Sequence, residues 1–215
     1  MKNKKIKIGK RYETSGLSEN QHQLGSQGRV LKNLLGITKK DEIDKLEYQE
    51  QVRTLENLIK IFGMAHVFKE KDICRIHKIW LGQIYSWAGQ YRQVNMTKDD
   101  FTFAASHAIP QLMHELEKGP LKEFTPCAFT KHEEIVHALA IVHTELVLIH
   151  PFREGNGRTI RLFLDLLVLS IGYKMIDWSP KLKNDYIKAC IFGAIGNHKP
   201  MTNFILKRLK KANEN

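Results

Sequence analysis

The sequence predicts a mainly α-helical domain that carries one small β-hairpin. Apolar residues recur at helical spacing through most of the chain. A single polar stretch at residues 91–103 departs from that spacing, and glycines and prolines mark the breaks between segments. The chain has 215 residues, of which 42% are hydrophobic and 27% charged. This composition is typical of one packed core and excludes a disordered or collagen-like chain.

The first expected elements are a polar arm and three helices. Residues 1–29 are polar and interrupted by glycine, so we interpret them as an arm. Val30–Gly36 is apolar and ends at glycine, which is typical of a short helix. Asp41–Phe62 and Lys71–Tyr85 place isoleucine, leucine and aromatic residues at intervals of three and four. We therefore expect the folded core to begin near residue 30.

The expected hairpin follows a break at Trp87–Gly89. Residues 91–103 read as two short strands with a turn near Lys98–Asp100. Helical spacing resumes over His107–Glu117, and the next stretch, residues 119–126, contains Gly119, Pro120 and Pro126, which predict a loop.

Four more helices are expected in the second half of the chain. They span about Lys131–Ile149, Thr159–Ser170, 180–192 and 200–211. Residues 206–215 are basic, and we interpret them as a solvated tail after a domain that covers residues 30–205. Neither basic end has interleaved aromatic residues, so nucleic-acid binding is not expected.

Charge and cysteine content restrict the partners and the compartment. The formal net charge is +11, which favours anionic partners without choosing among them. The three cysteines form no CxxC pair, so we expect no disulfide framework and a reducing compartment. The longest apolar stretch, Leu162–Ile171, is too short for a bilayer, and no signal peptide is evident at the N-terminus. A cytoplasmic protein fits these features, and a secreted effector is the alternative.

The segment between two of the predicted helices carries the chemistry. Gly155 and Gly157 allow a ligand to approach the backbone closely, and the helix start beside them offers unpaired amides. Arg158 and Arg161 lie three residues apart and project from one side of the first turn. Together they predict a site for several phosphates. The alternative is a plain turn with two surface arginines.

Two further residues of this segment predict more specific roles. Glu154 is acidic within a positive ring, which favours a Mg²⁺ ion between its carboxylate and phosphate oxygens. His150 is the nearby group with a pKa suited to accepting a proton near neutral pH. The residues alone thus predict a Mg²⁺–nucleotide site with a histidine base.

His150–Arg161 resembles the signature HxFx(D/E)GNGRxxR of the Fic family at every defined position. This resemblance covers roughly residues 30–205 and implies a helical Fic fold. It implies that His150 deprotonates a target hydroxyl and that Glu154 holds Mg²⁺ on the α- and β-phosphates. It also implies that Phe152 anchors the loop in the core. The phosphates would be bound by Gly155, Asn156, Gly157 and Arg158, with Arg161 at the γ-phosphate.

Trp87–Arg92 resembles the approach to the hairpin, or flap, of Fic proteins. The edge of this flap could pair with an extended target segment and present its hydroxyl to His150. Alternatively, the hairpin is only an exposed turn. The expected docking residues are Tyr91, Arg92, Gln93, Val94, Asn95, Met96, Thr97 and Lys98.

Many Fic proteins are inhibited by a motif (S/T)xxxE(G/N), whose Glu pairs with the second arginine of the signature. Ser15–Asn20 matches this motif, although Gly16 disfavours a helix there. The resemblance therefore implies possible inhibition by Ser15 and Glu19, with Glu19 on Arg161. The alternative is a separate antitoxin protein that supplies the Glu.

The resemblance implies a protein adenylyltransferase that uses Mg²⁺ and ATP. Gly157 favours this activity, because the phosphorylating Doc branch usually has Lys at that position. A Doc-like kinase and a catalytically silent Fic-fold interaction module remain the alternatives. His143, two helical turns before His150, is expected to have a structural role near the site.

Overall fold

The computed structural model describes residues 16–98 and 101–213, and it consists of helices with one two-stranded antiparallel sheet. In the sheet, Thr97 pairs with Thr102 and Lys98 pairs with Phe101. The strands are β1 Thr97–Lys98 and β2 Phe101–Thr102, and the α-helices are α1 Lys40–Phe62, α2 Glu70–Leu81, α3 Ile109–Leu116, α4 Lys122–Phe124, α5 His132–Ile149, α6 Asn156–Ser170, α7 Lys183–Ala194 and α8 Lys199–Leu206.

The core lies around α5 and α6, which are adjacent and largely apolar. In α6, buried residues occur on nearly every side of the helix, as expected for a helix that is covered by neighbours all round. Helices α1 and α2 pack on α6, while α7 and α8 pack on α5. The segment that joins α5 to α6 therefore lies where these two groups of helices meet.

The mainly helical fold with one hairpin is confirmed, and several bounds agree closely. Helix α1 begins one residue before the predicted Asp41 and ends at Phe62 as predicted. Helix α5 begins one residue after the predicted Lys131 and ends at Ile149. Helix α6 begins three residues before the predicted Thr159, because Gly155 has a left-handed φ of 80° and directly precedes the first helical residue.

The predicted helix over Val30–Gly36 is wrong, because this segment is not helical. Its backbone runs alongside the preceding residues, with an isolated β-bridge between His22 and Leu31. The Asn33 side chain accepts hydrogen bonds from the amides of Leu35 and Ile37, a local pairing that competes with helix formation. Glu19 and Ser26 are buried, and the Gln23 amide donates to the Val30 carbonyl, so the described part of the predicted arm packs on the domain.

Other bounds differ from the prediction. Helix α2 ends at Leu81 rather than Tyr85. Gly119 and Pro120 lie in a π-helical turn, Glu117–Leu121, and not in a loop. Helix α8 ends at Leu206, after which the chain turns back and the amide of Lys174 donates to the carbonyl of Lys210. The described part of the predicted tail is therefore in contact with the domain.

None of the helices in residues 16–98 and 101–213 has both the length and the apolar character that a bilayer-crossing segment requires.

Candidate active site

The predicted signature loop connects the C-terminus of α5 to the N-terminus of α6. His150 ends α5 in a left-handed conformation with φ of 51°, which turns the chain sharply. The loop borders an open cavity of about 960 Å³. The hairpin and α7 form other parts of its wall, and the site residues that line it are Met96, Thr97, Lys98, Phe103, His150, Glu154, Gly155, Asn156, Gly157, Arg158, Arg161 and Tyr186.

Asn156 closes the loop with two hydrogen bonds to the backbone of Phe152. Its Oδ1 accepts from the Phe152 amide at 2.8 Å, and its Nδ2 donates to the Phe152 carbonyl at 2.7 Å. Asn156 is buried, and these bonds occupy both ends of its amide group. The Asn156 side chain therefore braces the loop. Its role as a phosphate ligand stays a prediction, and the residue also lines the cavity.

Phe152 and His77 join the loop to α2. Their rings stack with a centroid distance of 3.9 Å and an interplanar angle of 8°. His77 accepts from the Gly89 amide at Nδ1 (2.7 Å) and donates from Nε2 to the Glu154 carbonyl at 3.0 Å. Burial is the main cause that lowers the pKa of His77 to about 4, so the ring is neutral. The sequence analysis missed His77, whose only signal was its place in the apolar stripe of α2.

The two glycines of the loop differ in how much space a side chain would have, and Gly155 has the less. A Cβ atom at Gly155 would lie 2.8 Å from the Trp80 ring, so the loop can pass over α2 only with glycine there. At Gly157 a Cβ would lie 3.3 Å from Nη1 of Arg161, which marks how closely that guanidinium approaches the start of α6.

His150 is a neutral base in this setting. Burial is the main cause that lowers its pKa to about 4. Arg92 and Lys98 also lower this pKa, while Glu154 and the Val147 carbonyl raise it. Because a carbonyl can only accept, Nδ1 donates to the Val147 oxygen at 3.3 Å, and Nε2 keeps its lone pair. The ring stacks on Phe103 with a centroid distance of 3.7 Å.

The two signature arginines have different partners. Nη1 of Arg158 lies 2.6 Å from Oε2 of Glu47, a buried carboxylate of α1, and Nη2 lies 3.3 Å from Glu154. Arg161 pairs with no carboxylate among the described residues, and its guanidinium carbon lies 5.7 Å from the centroid of the Tyr186 ring. Glu47 was missed, because α1 contains many other acidic residues.

Glu154 is suited to share a Mg²⁺ ion with a phosphate. Its Oε1 accepts from the Gly155 amide at 2.8 Å, while its Oε2 has no hydrogen-bond partner in the described chain. No group of three His, Cys, Asp or Glu residues that could hold a metal occurs there either. Mg²⁺ is often bound by one carboxylate together with substrate phosphates and water, and Glu154 fits that arrangement.

Two of the predicted docking residues of the flap are buried. Arg92 is 1% exposed and binds backbone carbonyls, including those of His150 at 2.8 Å, Val94 at 2.6 Å and Ala104 at 2.6 Å. Val94 is buried as well. Arg92 and Val94 are therefore structural residues, because they fasten the hairpin to the signature loop and have no surface for a target.

Some of the remaining flap residues form contacts within the protein, and the others line the cavity. The Gln93 amide and the Asn95 side chain form hydrogen bonds within the protein, and the Tyr91 hydroxyl faces Glu70 at 3.5 Å. Met96, Thr97 and Lys98 line the cavity. Asp99 and Asp100 of the predicted turn lie outside the described residues.

Glu19 does not contact Arg161 in this structure. Its carboxylate accepts from the Gln93 amide at 2.7 Å, and its carbonyl accepts from Nε of Arg153 at 3.0 Å. Glu19 is buried, so it fastens the N-terminal segment to the flap and the loop. The predicted Glu19–Arg161 pair is therefore wrong for this conformation, and Ser15 lies outside the described residues.

Comparison with known proteins places this site in a family. Residues 67–168 match the model of the Fic/DOC family. The protein adenylyltransferase VbhT of Bartonella schoenbuchensis is 31% identical over 84% of this chain, which spans 37% of that relative. The probable protein adenylyltransferase Fic of Salmonella typhimurium is 28% identical over 86% of this chain and 90% of its own length.

Solved structures resemble the fold over most of the chain. The N-terminal Fic domain of a Bartonella quintana effector with bound ADP is 26% identical, with a TM-score of 0.70 over 85% of this chain and 92% of that one. The BepC protein of Bartonella tribocorum with bound AMPPNP is 24% identical, with a TM-score of 0.73 over 91% and 99% of the two chains. The second likeness supports the fold alone.

The arrangement of Arg92 generates a prediction about stability. Arg92→Lys keeps the charge but cannot reproduce the planar fork that reaches several carbonyls at once. We expect the free energy of unfolding in urea to fall by about 2–4 kcal/mol, because buried acceptors lose a charged donor. Arg53→Lys, at an exposed arginine of α1, is the control and should change it by less than about 0.5 kcal/mol. Equal effects of the two variants would contradict the role assigned to Arg92.

Proposed function

Because the chain belongs to the Fic/DOC family, we propose that it is a protein adenylyltransferase. Its reaction transfers AMP from Mg²⁺-ATP to a Ser, Thr or Tyr hydroxyl of a target protein. The observation that carries the proposal is the site itself, where a neutral histidine and two arginines face one cavity. We assign this activity to residues 30–205, together with the packed N-terminal residues.

His150 acts as the general base in this proposal. Its Nε2 accepts the proton of the target hydroxyl while the hydroxyl oxygen bonds to the α-phosphorus of ATP. The bond from that phosphorus to the bridging oxygen breaks, and pyrophosphate leaves with the electron pair. The low pKa of His150 keeps Nε2 unprotonated before the reaction, so the base needs no prior loss of a proton.

The cations of the site bind the phosphates. Arg158, the unpaired amides at the start of α6 and Arg161 hold the chain of phosphates, with Arg161 at the γ-phosphate. Glu154 would hold Mg²⁺ through its free carboxylate oxygen. The ion would neutralise charge on the α- and β-phosphates. Catalysis then depends on position and on charge stabilisation in the cavity.

The flap receives the target segment. Within the described residues β1 pairs only with β2, and Met96, Thr97 and Lys98 lie at the cavity wall. An extended target segment that adds to this edge would place its hydroxyl beside His150. Any extended segment can form the backbone hydrogen bonds of this pairing. The choice of target therefore depends on how well the side chains of the target segment fit beside the flap.

Control of the enzyme by a carboxylate from another chain is part of the proposal. Arg161 has no carboxylate partner among the residues that the structure describes, so a Glu from a small antitoxin could pair with it and displace the γ-phosphate.

The cytoplasm suits this arrangement, because all three cysteines are free thiols. The Doc-like kinase is less favoured, since Gly157 stands where that branch usually has Lys.

Label transfer tests the reaction. With α-³²P-ATP and Mg²⁺ we expect label on the protein itself or on lysate proteins. His150→Ala should lower the rate at least about a hundredfold, because it removes the base. His114→Ala, at an exposed histidine of α3, is the matched control and should keep the rate. Label from γ-³²P-ATP instead would favour the kinase, and no binding of Mg²⁺-ATP by calorimetry would favour the silent module.

The pH dependence of transfer tests the protonation state of His150. A folded-state pKa of about 4 keeps the base neutral down to about pH 5. The transfer rate should therefore change less than about twofold between pH 7.5 and pH 5.5, and should fall only as pH drops toward 4. An ordinary histidine with a pKa near 6.5 would instead lose about nine-tenths of the rate at pH 5.5. Circular dichroism at each pH confirms that the protein is folded.

Glu19→Gly tests whether Glu19 inhibits the enzyme. Since its carboxylate supports the Gln93 amide and not Arg161, we expect no rise in the transfer rate at saturating ATP. The free energy of unfolding should fall by about 1–2 kcal/mol. Glu19→Gln, which keeps an acceptor for this amide, is the control. A strong rise in rate with Glu19→Gly would mean that Glu19 reaches Arg161 in another conformation.

A further inference from the structure

Arg161 is held by a side chain that carries no charge. We infer that His143, Tyr186 and Arg161 form a relay from the buried end of His143 to the cavity, in which Tyr186 and His143 are positioning residues for the Arg161 guanidinium. This inference rests on the proposed function, because it assigns the relay to the binding of the terminal phosphate of the nucleotide. It concerns two residues of α5 and α7 that lie outside the signature.

The three side chains are in contact along a line from the core to the cavity. His143 is fully buried in α5, and its Nε2 lies 2.9 Å from the hydroxyl oxygen of Tyr186. The Arg161 guanidinium carbon lies 5.7 Å from the centroid of the Tyr186 ring. Burial and then the Cys190 thiol raise the pKa of Tyr186, while the charge of Arg161 lowers it, so the guanidinium is close enough to act on the hydroxyl.

The direction of the protons follows from what each group can do. A guanidinium can only donate, so the Tyr186 oxygen accepts from Arg161. We assign the Tyr186 proton to the bond with Nε2 of His143, which places the ring proton of His143 on Nδ1, a buried atom with no partner among the described residues. Burial, with a smaller contribution from the charge of Arg161, lowers the pKa of His143 to about 3. His143 is therefore neutral. By accepting the Tyr186 proton, it orients the Tyr186 hydroxyl so that the lone pairs of its oxygen face Arg161.

A neutral partner suits an arginine that has to bind phosphate. Arg158 is paired with Glu47, so part of its charge is already balanced within the protein. A carboxylate beside Arg161 would compete with the terminal phosphate in the same way. Tyr186 can limit the movement of the Arg161 guanidinium without neutralising its positive charge. Both arginines line the cavity. Arg161 forms no direct ion pair with a described carboxylate, and the buried Asp165, which acts on it from a distance, has a pKa that burial raises to about 6.

The surrounding rings hold the relay in place. Trp178 stacks on His143, with a centroid distance of 6.3 Å, and packs edge-on against Tyr186 at 5.9 Å. The Trp178 indole donates to Asp165 at 3.0 Å, which fixes the indole in turn. Such packing limits the rotamers of Tyr186, so its hydroxyl stays at one position on the cavity wall.

Binding of two nucleotides that differ by one phosphate tests the inference. The probes are α,β-methylene-ATP and α,β-methylene-ADP with Mg²⁺, which cannot release AMP, and the measurement is the Kd of each by calorimetry. Arg161→Ala should weaken the triphosphate about tenfold and leave the diphosphate within about twofold. Tyr186→Phe keeps the ring but removes the hydroxyl, and it should weaken the triphosphate selectively by about threefold.

Further variants separate positioning from stability. Tyr173→Phe removes the hydroxyl of another Tyr–His pair, in which the buried Tyr173 lies 3.3 Å from His132, and should leave both Kd values unchanged. His143→Gln can still accept from Tyr186 and should keep the selectivity, whereas His143→Leu should lose it as Tyr186→Phe does. Thermal unfolding of each variant verifies that it is folded at the temperature of the titration.

The outcomes distinguish the relay from the proposed function. In the double variant Tyr186→Phe/Arg161→Ala, the triphosphate should bind as in Arg161→Ala alone, since the hydroxyl acts only through the arginine. Additive losses, or equal losses for both nucleotides in Tyr186→Phe, would overturn the relay while leaving the proposed function in place. If Arg161→Ala itself fails to separate the two nucleotides, the phosphate assignment is wrong and the inference falls with it.

Discussion

The site depends on the pair of hydrogen bonds between the Asn156 side chain and the backbone of Phe152. These bonds close the loop between α5 and α6, so that His150 at the end of one helix and the free amides of the next face one cavity. The C-terminus of α5 carries partial negative charge and the N-terminus of α6 partial positive charge. The brace holds these two ends close together, so that His150 stays beside the anion site. Phe152 then fixes the braced loop to α2 through its stacking on His77.

Around this loop, the protein uses buried carboxylates and neutral rings for different purposes. Glu47 accepts from Arg158 and from the Tyr85 hydroxyl, so its charge is satisfied from two sides and fixes one arginine. Arg92 satisfies backbone carbonyls at the other side of the loop. Arg161 forms no ion pair with a described carboxylate; its guanidinium lies over the Tyr186 ring, and the buried Asp165 acts on it only from a distance. With this distribution of partners, Arg161 stays available to a ligand. If every cation were paired with a carboxylate inside the protein, none would be.

The sequence predicted the helical fold, the hairpin and the position of the site, because the periodic spacing and the signature are local patterns. It did not show the hydrogen bonds of single side chains, whether their partners are close in the chain or far along it. Asn156 bonds to Phe152 four residues away, and Arg92 bonds to carbonyls as distant as that of His150, and the apolar spacing reveals neither. Val30–Gly36 is apolar enough for a helix, but Asn33 binds the nearby amides and the segment pairs with residues 21–23.

Three histidines near the site show that burial alone does not decide which of them can act as a base. Burial is the main cause that lowers the pKa values of His77, His143 and His150 to about 4, 3 and 4. All three rings are therefore neutral, yet the groups at their nitrogens differ. His77 uses both nitrogens within the protein and His143 accepts from Tyr186, whereas His150 keeps Nε2 free while its Nδ1 is held by Val147. A base must combine a neutral ring with an unoccupied lone pair at the cavity. Of these three histidines, His150 alone lines the cavity with such a nitrogen, and the hydrogen bonds around it identify the base where the residue type does not.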